Sequence, residues 1–216
     1  MKKALVVAGG WEGHEPQQCA DLFAGLLREK DFEVEISHTL DAYLDAEKLS
    51  ALNLIVPIWT MGHISEEQEK GLIEAVKSGV GLAGFHGGMG DSFRGKTGYE
   101  WLVGGHFVSH PGDIKDYTVD IVQKDDAITQ GLSSFQMHSE QYYLLTDPGN
   151  RVLATTTFDG EGYGMTWLKG VEMPVVWTRQ WGQGRVFYNS LGHVAADFNV
   201  PEARELTLRG MLWASR

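Results

Sequence analysis

The sequence predicts an α/β domain built on a mostly parallel central sheet, with extra β-strands in the second half of the chain. Strand-like and helix-like segments alternate four times over residues 1–85, and strand-like segments dominate residues 117–190. The 216 residues also contain no internal repeat, low-complexity tract or linker. We therefore expect one domain that spans residues 1–216.

The first half of the chain has the pattern of βαβ units. Residues 4–8 form a continuous apolar, β-branched run, which is typical of a strand buried on both faces. Ser65 and Gln68 form a capping-box pattern at the start of a helix. The predicted strands are residues 4–8, 32–37, 52–58 and 80–85, and the predicted helical segments are residues 16–30, 45–50 and 65–77.

The second half is richer in strands. A helix is predicted from near Asp91 to residues 99–103, and another closes the chain over residues 201–214, with Pro201 suited to its first turn. Gly182 and Gly184 indicate a hairpin turn. The predicted strands are residues 117–122, 135–144, 152–157, 174–180 and 185–190.

Composition and charge exclude several functions. A formal net charge of −11 repels phosphate backbones, so we expect no nucleic-acid partner. No apolar run reaches membrane-spanning length, and the apolar run near the N-terminus is too short for a signal peptide, so we expect a cytoplasmic protein without membrane contact. Cys19 is the single cysteine, so no disulfide can form within the chain.

Histidines collect where the predicted parallel strands end. Six of the eight histidines lie within two residues of a glycine. Ligands of open α/β sheets bind beyond the carboxyl ends of the strands. The four predicted strand-end segments, which each contain a histidine, are residues 9–15, 59–63, 86–91 and 191–193.

Two of these histidines are candidate catalytic residues. His86 is followed by Gly87 and Gly88 in the layout of a nucleophile elbow, and imidazole there can act as a base or a metal ligand. A turn histidine bonded to nearby backbone is the alternative. His193 follows the last predicted strand and can face His86 across a site, although a structural role is equally compatible.

Three further histidines and one glutamate could take part. His106 and His110 are four residues apart and could bind a metal, but the surrounding glycines and proline argue against a shared helix. His63 lies at the exit of the third strand. Glu140 could be a base or an oxygen ligand, with Tyr142 on the same side of its strand, unless this is only a solvated strand face.

The first and third loops could bind substrate. His14 and Glu15 follow the first strand, and Trp59 lies near the end of the third. The first loop is rich in glycine but lacks both GxGxxG and the lysine of a P-loop, so we expect no nucleotide cofactor. Flat tryptophan faces could stack on sugar rings, although most tryptophans have core or rim positions.

Taken together, these motifs resemble the ThuA-like (trehalose utilization) family over nearly the whole chain. The resemblance implies a class I glutamine amidotransferase-like, flavodoxin-like three-layer sandwich. The matching segments include Gly9-Gly10 with His14-Glu15, Gly62-His63, Phe85-His86-Gly87-Gly88, Gly104-Gly105-His106-Phe107 with His110-Pro111, Ser139-Glu140-Gln141-Tyr142, Pro174-Val175-Val176-Trp177, Gly184-Arg185-Val186-Phe187-Tyr188, Gly192-His193 and Gly210-Met211-Leu212-Trp213.

The chain departs from the amidotransferases at the residue that matters most. Those enzymes have a cysteine nucleophile at the elbow, where this chain has His86. Cys19 lies in the first predicted helix and cannot replace that thiol. Glutamine hydrolysis through a thiolate is therefore excluded as the expected activity.

The resemblance implies a role in carbohydrate breakdown, through sugars oxidised at the third carbon. We expect a hydrolase or lyase of a 3-keto sugar or disaccharide such as a trehalose derivative, with His86, His193 and Glu140 as catalytic residues. The substrate would be bound by His14, Glu15, Trp59, Gly87, Gly88 and Tyr142. A divalent metal, Zn or Mn, would be held by a subset of His63, His86, His106, His110 and His193.

Other functions remain open at this point. The fold could serve as a non-catalytic sugar-binding or regulatory protein, in which aromatic residues would carry the affinity. It could also be a subunit whose site needs a partner chain. Besides a small sugar, the partners that the sequence leaves open are such a partner chain and a second copy of the chain in a homo-oligomer.

Overall fold

Eleven β-strands and six α-helices make up residues 1–216 of the protein, described here from a computed structural model. The strands are β1 (Lys2–Gly10), β2 (Phe32–Ser37), β3 (Leu54–Thr60), β4 (Gly81–Phe85), β5 (Gly105–Ser109), β6 (Ile114–Ile121), β7 (Phe135–Glu140), β8 (Tyr143–Thr146), β9 (Arg151–Thr157), β10 (Glu172–Trp181) and β11 (Gly184–Asn189). The helices are α1 (Pro16–Arg28), α2 (Ala46–Ser50), α3 (Glu66–Lys77), α4 (His86–Gly90), α5 (Thr97–Val103) and α6 (Pro201–Ala214).

Nine strands form one sheet in the order β2-β1-β3-β4-β11-β10-β9-β6-β7. The first five are parallel, and the remaining four join them in antiparallel pairs. This arrangement confirms the predicted α/β class, a mostly parallel sheet with additional antiparallel strands. β2 lies on one side of β1, whereas β3 and β4 lie on the other, so the strand order reverses between β1 and β3. A ligand crevice is expected at such a reversal.

The sheet separates two apolar cores, one on each face. Along β1, Val6 points into the core shared with α1 and α6, whereas Leu5 and Val7 point into the core shared with α3 and α5. All three side chains are fully buried. A central strand covered on both faces must be apolar at every position, which explains its uninterrupted hydrophobic sequence.

Two local predictions differ from the structure. The strand predicted over residues 135–144 breaks at Gln141 and Tyr142 into β7 and β8, and β8 pairs with the unpredicted β5 in a separate sheet. The break is stabilised because the buried amide of Gln141 donates to Oγ1 of Thr156 at 2.8 Å. The helix predicted from near Asp91 starts later than expected. Helix α4 already ends at Gly90, and α5 begins at Thr97 after a loop.

The antiparallel half of the sheet curls back toward the parallel half. Five strand spacings separate β4 from β7, which would place them roughly 24 Å apart in a flat sheet. Glu140 at the end of β7 nevertheless lies 3.1 Å from His86 at the end of β4. Strand twist and curl therefore bring two distant strand ends to one place.

Candidate functional site

His86 occupies a sharp turn where β4 runs directly into α4. Its φ of 46° lies in the left-handed region, which costs a residue with a side chain about 1–2 kcal/mol. Gly87 follows without a Cβ because one would lie 2.5 Å from Cε1 of His14. A Cβ on Gly88 would come within 3.0 Å of Ile58. Both glycines are therefore required by close packing around the turn.

The ring of His86 is held in one orientation. Its Nδ1–H donates to the carbonyl oxygen of Ser190 at 2.8 Å, and the ring stacks on Tyr142 with centroids 3.9 Å apart. Only 1% of the residue is exposed. In this orientation the other ring nitrogen, Nε2, lies 3.1 Å from Oε2 of Glu140.

His14 and His193 reach the same place from two other strand ends. Nδ1 of His14 is hydrogen-bonded to the hydroxyl of Thr60, the last residue of β3, at 2.9 Å, which leaves Nε2 free. His193 follows β11, and its backbone N–H donates to Oδ2 of Asp197 at 2.9 Å. The same carboxylate oxygen accepts a hydrogen bond from Ser139, next to Glu140, at 2.5 Å.

Four side chains thus converge at the carboxyl ends of the sheet strands. His14, His86, Glu140 and His193 each offer one ligand atom, and these atoms all lie within 4.8 Å of one another. Burial, followed by the charges of His86 and His193, lowers the pKa of His14 from 6.5 to about 3. His14 is therefore neutral and able to donate its lone pair near neutral pH.

Glu140 is the anion of this group. Burial raises its pKa, but close contact with the imidazoles of His193 and His86 outweighs that effect, so its pKa stays well below the usual range. Contact with Glu140 in turn raises the pKa of His193, against the effect of burial. One carboxylate therefore faces two imidazoles in a largely buried setting.

The donor set fits a divalent metal ion. Nδ1 of His193 is buried without a hydrogen-bond partner, because its 3.3 Å contact with Oε2 of Glu140 lacks hydrogen-bond alignment. A proton or a cation must also separate Nε2 of His86 from Glu140. Tetrahedral Zn with ligand bonds of about 2.0–2.1 Å has ligand atoms roughly 3.3 Å apart, close to the 3.1 and 3.3 Å of the two pairs that share Oε2 of Glu140. The other ligand atoms lie within 4.8 Å of one another and would close around the ion.

The family model described as ThuA, trehalose utilisation, matches residues 3–214. The chain belongs to the ThuA family. Membership and the sheet order together confirm the predicted class I glutamine amidotransferase-like, flavodoxin-like fold. They also connect the chain with carbohydrate utilisation at the level of the family.

Solved structures agree on the fold. A protein described as ThuA-like from Bacteroides uniformis ATCC 8492 has a TM-score of 0.80 at 18% identity, covering 99% of this chain and 91% of that chain. A second protein described as ThuA-like, from Parabacteroides merdae ATCC 43184, has a TM-score of 0.78 at 20% identity, covering 99% of this chain and 89% of that chain. A protein described as cytoplasmic from Salmonella typhimurium LT2 has a TM-score of 0.71 at 13% identity, covering 99% and 100%.

Two further comparisons are negative. Among curated proteins, none is significantly similar to this ThuA family member. None of its helices combines the length and the apolar character that crossing a membrane requires.

A small cavity of about 160 Å³ is lined by two of the four cluster residues. His14 and Glu140 form part of its wall, together with His110, Arg94 and other side chains. His110 lies in the turn after β5, and its Nε2 is 3.7 Å from Oε1 of Glu140. The cavity therefore gives a small molecule access to the cluster and to one histidine outside it.

The predicted site residues separate into two groups. The structure brings together His14, His86, Glu140 and His193, with His110, Tyr142, Gly87 and Gly88 in contact with the cluster or close to it. It does not bring His63 or His106 to the cluster, because His63 is exposed and His106 lies 3.6 Å from Glu100 in another cavity.

Two predicted substrate-binding residues have structural contacts. Oε2 of Glu15 accepts a hydrogen bond from the backbone of Ala195 at 3.0 Å, which ties the first loop to the last. The ring of Trp59 is half-buried and fills the space left by Gly9 and Gly62, where a Cβ would lie under 3 Å from it.

Sequence reasoning missed the residues that orient the cluster. Thr60, Ser190 and Asp197 hold His14, His86 and His193 through the hydrogen bonds described above. Their partners are chosen by the fold, so spacing in the sequence carries little signal for them. For Thr60, its position at a strand end was the one usable clue.

Cys19 cannot supply the nucleophile that the elbow lacks. It is buried in α1, 3.6 Å from the carbonyl oxygen of His14, and burial raises its pKa to about 12. A thiol with that pKa is protonated near neutral pH and is a poor nucleophile. The chain therefore has no substitute for the missing elbow cysteine.

Proposed function

We propose that this ThuA family member is a metal-dependent enzyme that cleaves the glycosidic bond of a 3-keto-disaccharide, such as an oxidised trehalose. The observation that carries the proposal is the convergence of three imidazoles and one carboxylate beside a cavity that His14 and Glu140 line. The family's description as trehalose utilisation supports a carbohydrate substrate. Perturbed titratable groups gathered in a cleft favour catalysis over passive binding.

The metal would be Zn or Mn, held by His14, His86, Glu140 and His193. A divalent ion bound there would supply a Lewis acid for the developing negative charge on the sugar. The protein's own part is to keep three imidazoles and one carboxylate aimed at a common point. The Ser190 carbonyl and the Thr60 hydroxyl do so for His86 and His14, as outer partners of metal ligands commonly do.

His110 is the group we assign to proton transfer. A keto group at the third carbon acidifies the hydrogen on C2, and His110 lies in the cavity wall without belonging to the cluster. His110 takes the C2 proton, and the C2–H electron pair moves onto the C3 keto oxygen to give an enediolate. When the keto group forms again, a double bond forms between C1 and C2 and the C1–O glycosidic bond breaks. The protonated His110 returns the proton to the departing oxygen, and addition of water across the double bond then gives the free 3-keto sugar.

An ordinary two-carboxylate glycosidase mechanism fits this cavity poorly. It requires one carboxylic acid that stays protonated near neutral pH and a second carboxylate on the other side of the bond. The low pKa of Glu140 keeps it ionised. Asp91, the other carboxylate in the wall, is bound by Arg94 through two hydrogen bonds of 2.6 and 2.7 Å.

The proposal is tested by turnover of 3-keto-trehalose before and after metal removal. We expect activity that is lost on dialysis against a chelator and restored by Zn or Mn. The His110→Asn variant should retain metal but lose about 10²–10⁴-fold in kcat, the usual contribution of a general base. The His138→Ala variant is the control, because His138 is exposed and bonded to Asp116 outside the cavity.

Absence of turnover over a broad panel of 3-keto glycosides, in wild type and His86→Ala alike, would overturn the enzymatic proposal. Chelator-insensitive turnover would overturn the metal. A non-catalytic sugar-binding protein predicts binding that survives His86→Ala. The same proteins and ligands therefore decide between the two functions.

A further inference from the structure

A second cavity of about 380 Å³ adjoins the one that His14 and Glu140 line. Asp91, Arg94 and Phe107 belong to the walls of both cavities. The larger cavity has the volume of roughly a dozen water molecules, which is room for one sugar ring with its hydroxyl groups. Two joined compartments of this kind suit a ligand made of two units.

Arg94 stands at the junction of the two cavities. Its Nε and Nη2 donate to the carboxylate of Asp91, which is buried, and its guanidinium lies 5.8 Å from the centre of the Phe107 ring. Because these contacts use one edge of the guanidinium, Nη1 is left to donate to a ligand. A hydrogen-bond donor at this point can bind an oxygen that bridges two units.

The walls of the larger cavity offer the groups that bind sugar hydroxyls. His106 and Glu100 face each other there, with Nδ1 and Oε2 3.6 Å apart, and Oε1 of Glu100 is fixed by the backbone N–H of Gly95 at 2.9 Å. Phe107 adds aromatic surface. A few polar groups on a partly aromatic wall are typical of small-molecule sites.

We propose that this larger cavity is the subsite for the departing sugar unit of a disaccharide, with His106 and Glu100 as its specificity-determining residues. This inference rests on the proposed function and names the residues that would select the departing sugar. The sugar with the keto group occupies the small cavity beside the cluster, and the second sugar occupies the larger cavity. The bridging oxygen then lies beside Arg94.

The inference is tested by the ratio of two activities. We would measure kcat/KM for 3-keto-trehalose and for methyl 3-keto-glucoside, which lacks the second sugar. Wild type should prefer the disaccharide, and His106→Ala or Glu100→Gln should lower that preference about tenfold, the worth of one or two hydrogen bonds. In the His138→Ala control the preference should equal that of wild type. An unchanged ratio in both subsite variants would overturn the inference.

A binding measurement separates this inference from the proposed function. If no 3-keto glycoside is turned over, calorimetric titration with unoxidised trehalose still tests the subsite. Trehalose should bind wild type more tightly than glucose does, and His106→Ala should weaken trehalose binding about tenfold. Equal binding of trehalose by wild type and His106→Ala, or no binding at all, would contradict the subsite whatever the chemistry.

Discussion

At the scale of single residues, His86 combines a strained backbone with a side chain that has three separate contacts. Its left-handed φ aims the ring at Glu140, while the Ser190 carbonyl and the Tyr142 ring fix it in place. Strain of this kind persists only when the surroundings enforce it. The surrounding contacts therefore hold the turn in this conformation, and the strain lowers the free energy of unfolding by an amount that can be measured.

That cost predicts an inverted preference between glycine and alanine. In urea denaturation, the free energy of unfolding of His86→Gly should be about 1 kcal/mol higher than that of His86→Ala, because glycine adopts the left-handed conformation without strain. Both variants lose the same ring contacts, so the difference isolates the backbone. At the exposed helical position Glu74 in α3, the matched pair should show the opposite order. Equal stability of the two His86 variants would contradict the strain.

At the scale of elements, Asp197 joins the end of β7 to the loop after β11. Its carboxylate accepts hydrogen bonds from Ser139 and from the backbone of His193, and thereby sets the distance between Glu140 and His193. Two elements that are far apart in sheet order thus share one anchor. The anchor touches neither the cavity nor the four ligand atoms.

We predict that Asp197→Asn lowers Zn affinity about 10–100-fold, since partners of metal ligands commonly have effects of that size. The loss arises because an amide offers a weaker and differently shaped acceptor to the two donors. The measurement is a competitive Zn titration at a temperature where circular dichroism shows a folded variant. Asp116→Asn, at an exposed position on β6, is the matched control. Wild-type affinity in Asp197→Asn would contradict the anchoring role.

Much of the element pattern follows from local sequence, and the exceptions have local causes. The uniform apolar run at β1 and the capping box at α3 predicted their elements correctly, because both signals act over a few residues. The break at Gln141 could not be predicted, because its partner Thr156 comes from β9. β5 was missed because its partly exposed residues pair only with β8, which the sequence merged with β7 into one strand.

The candidate site was likewise predictable only where the signal is local. The strand-end rule placed His14, His86 and His193 at the carboxyl ends of the strands, and the structure brings them together with Glu140. His63 obeys the same rule yet is exposed, because a strand end fixes where a loop starts and not where its side chains point. The curl that carries β7 back to β4 has no local signal.

At the scale of the whole molecule, the four cluster residues belong to segments that follow or end β1, β4, β7 and β11. A ligand that binds all four can do so only in the folded chain. Binding energy at the cluster should therefore add to the stability of the whole domain.

We accordingly predict a metal-dependent melting temperature. Zn or Mn at one hundred times its Kd should stabilise the protein by about 2.7 kcal/mol, or roughly 5–10 °C for a chain of this length. Differential scanning fluorimetry of chelator-treated protein, with and without the metal, measures the shift. His38→Ala should retain it, since His38 is exposed and lies outside the cluster, whereas His193→Ala should lose it. A shift that persists in His193→Ala would place the metal elsewhere.

The position of β11 in the sheet also affects how the chain is made. β11 pairs with β4, although Phe85 ends β4 and Gly184 begins β11. At translation rates of about 5–20 residues per second, the flank of β4 that will receive β11 stays unpaired for roughly 5–20 s. During that time the unpaired edge of β4 can pair with a strand of another chain. Gly81 and Gly84 have no side chains that could pack against such a strand, so we expect incorrect pairing at β4 to be weak.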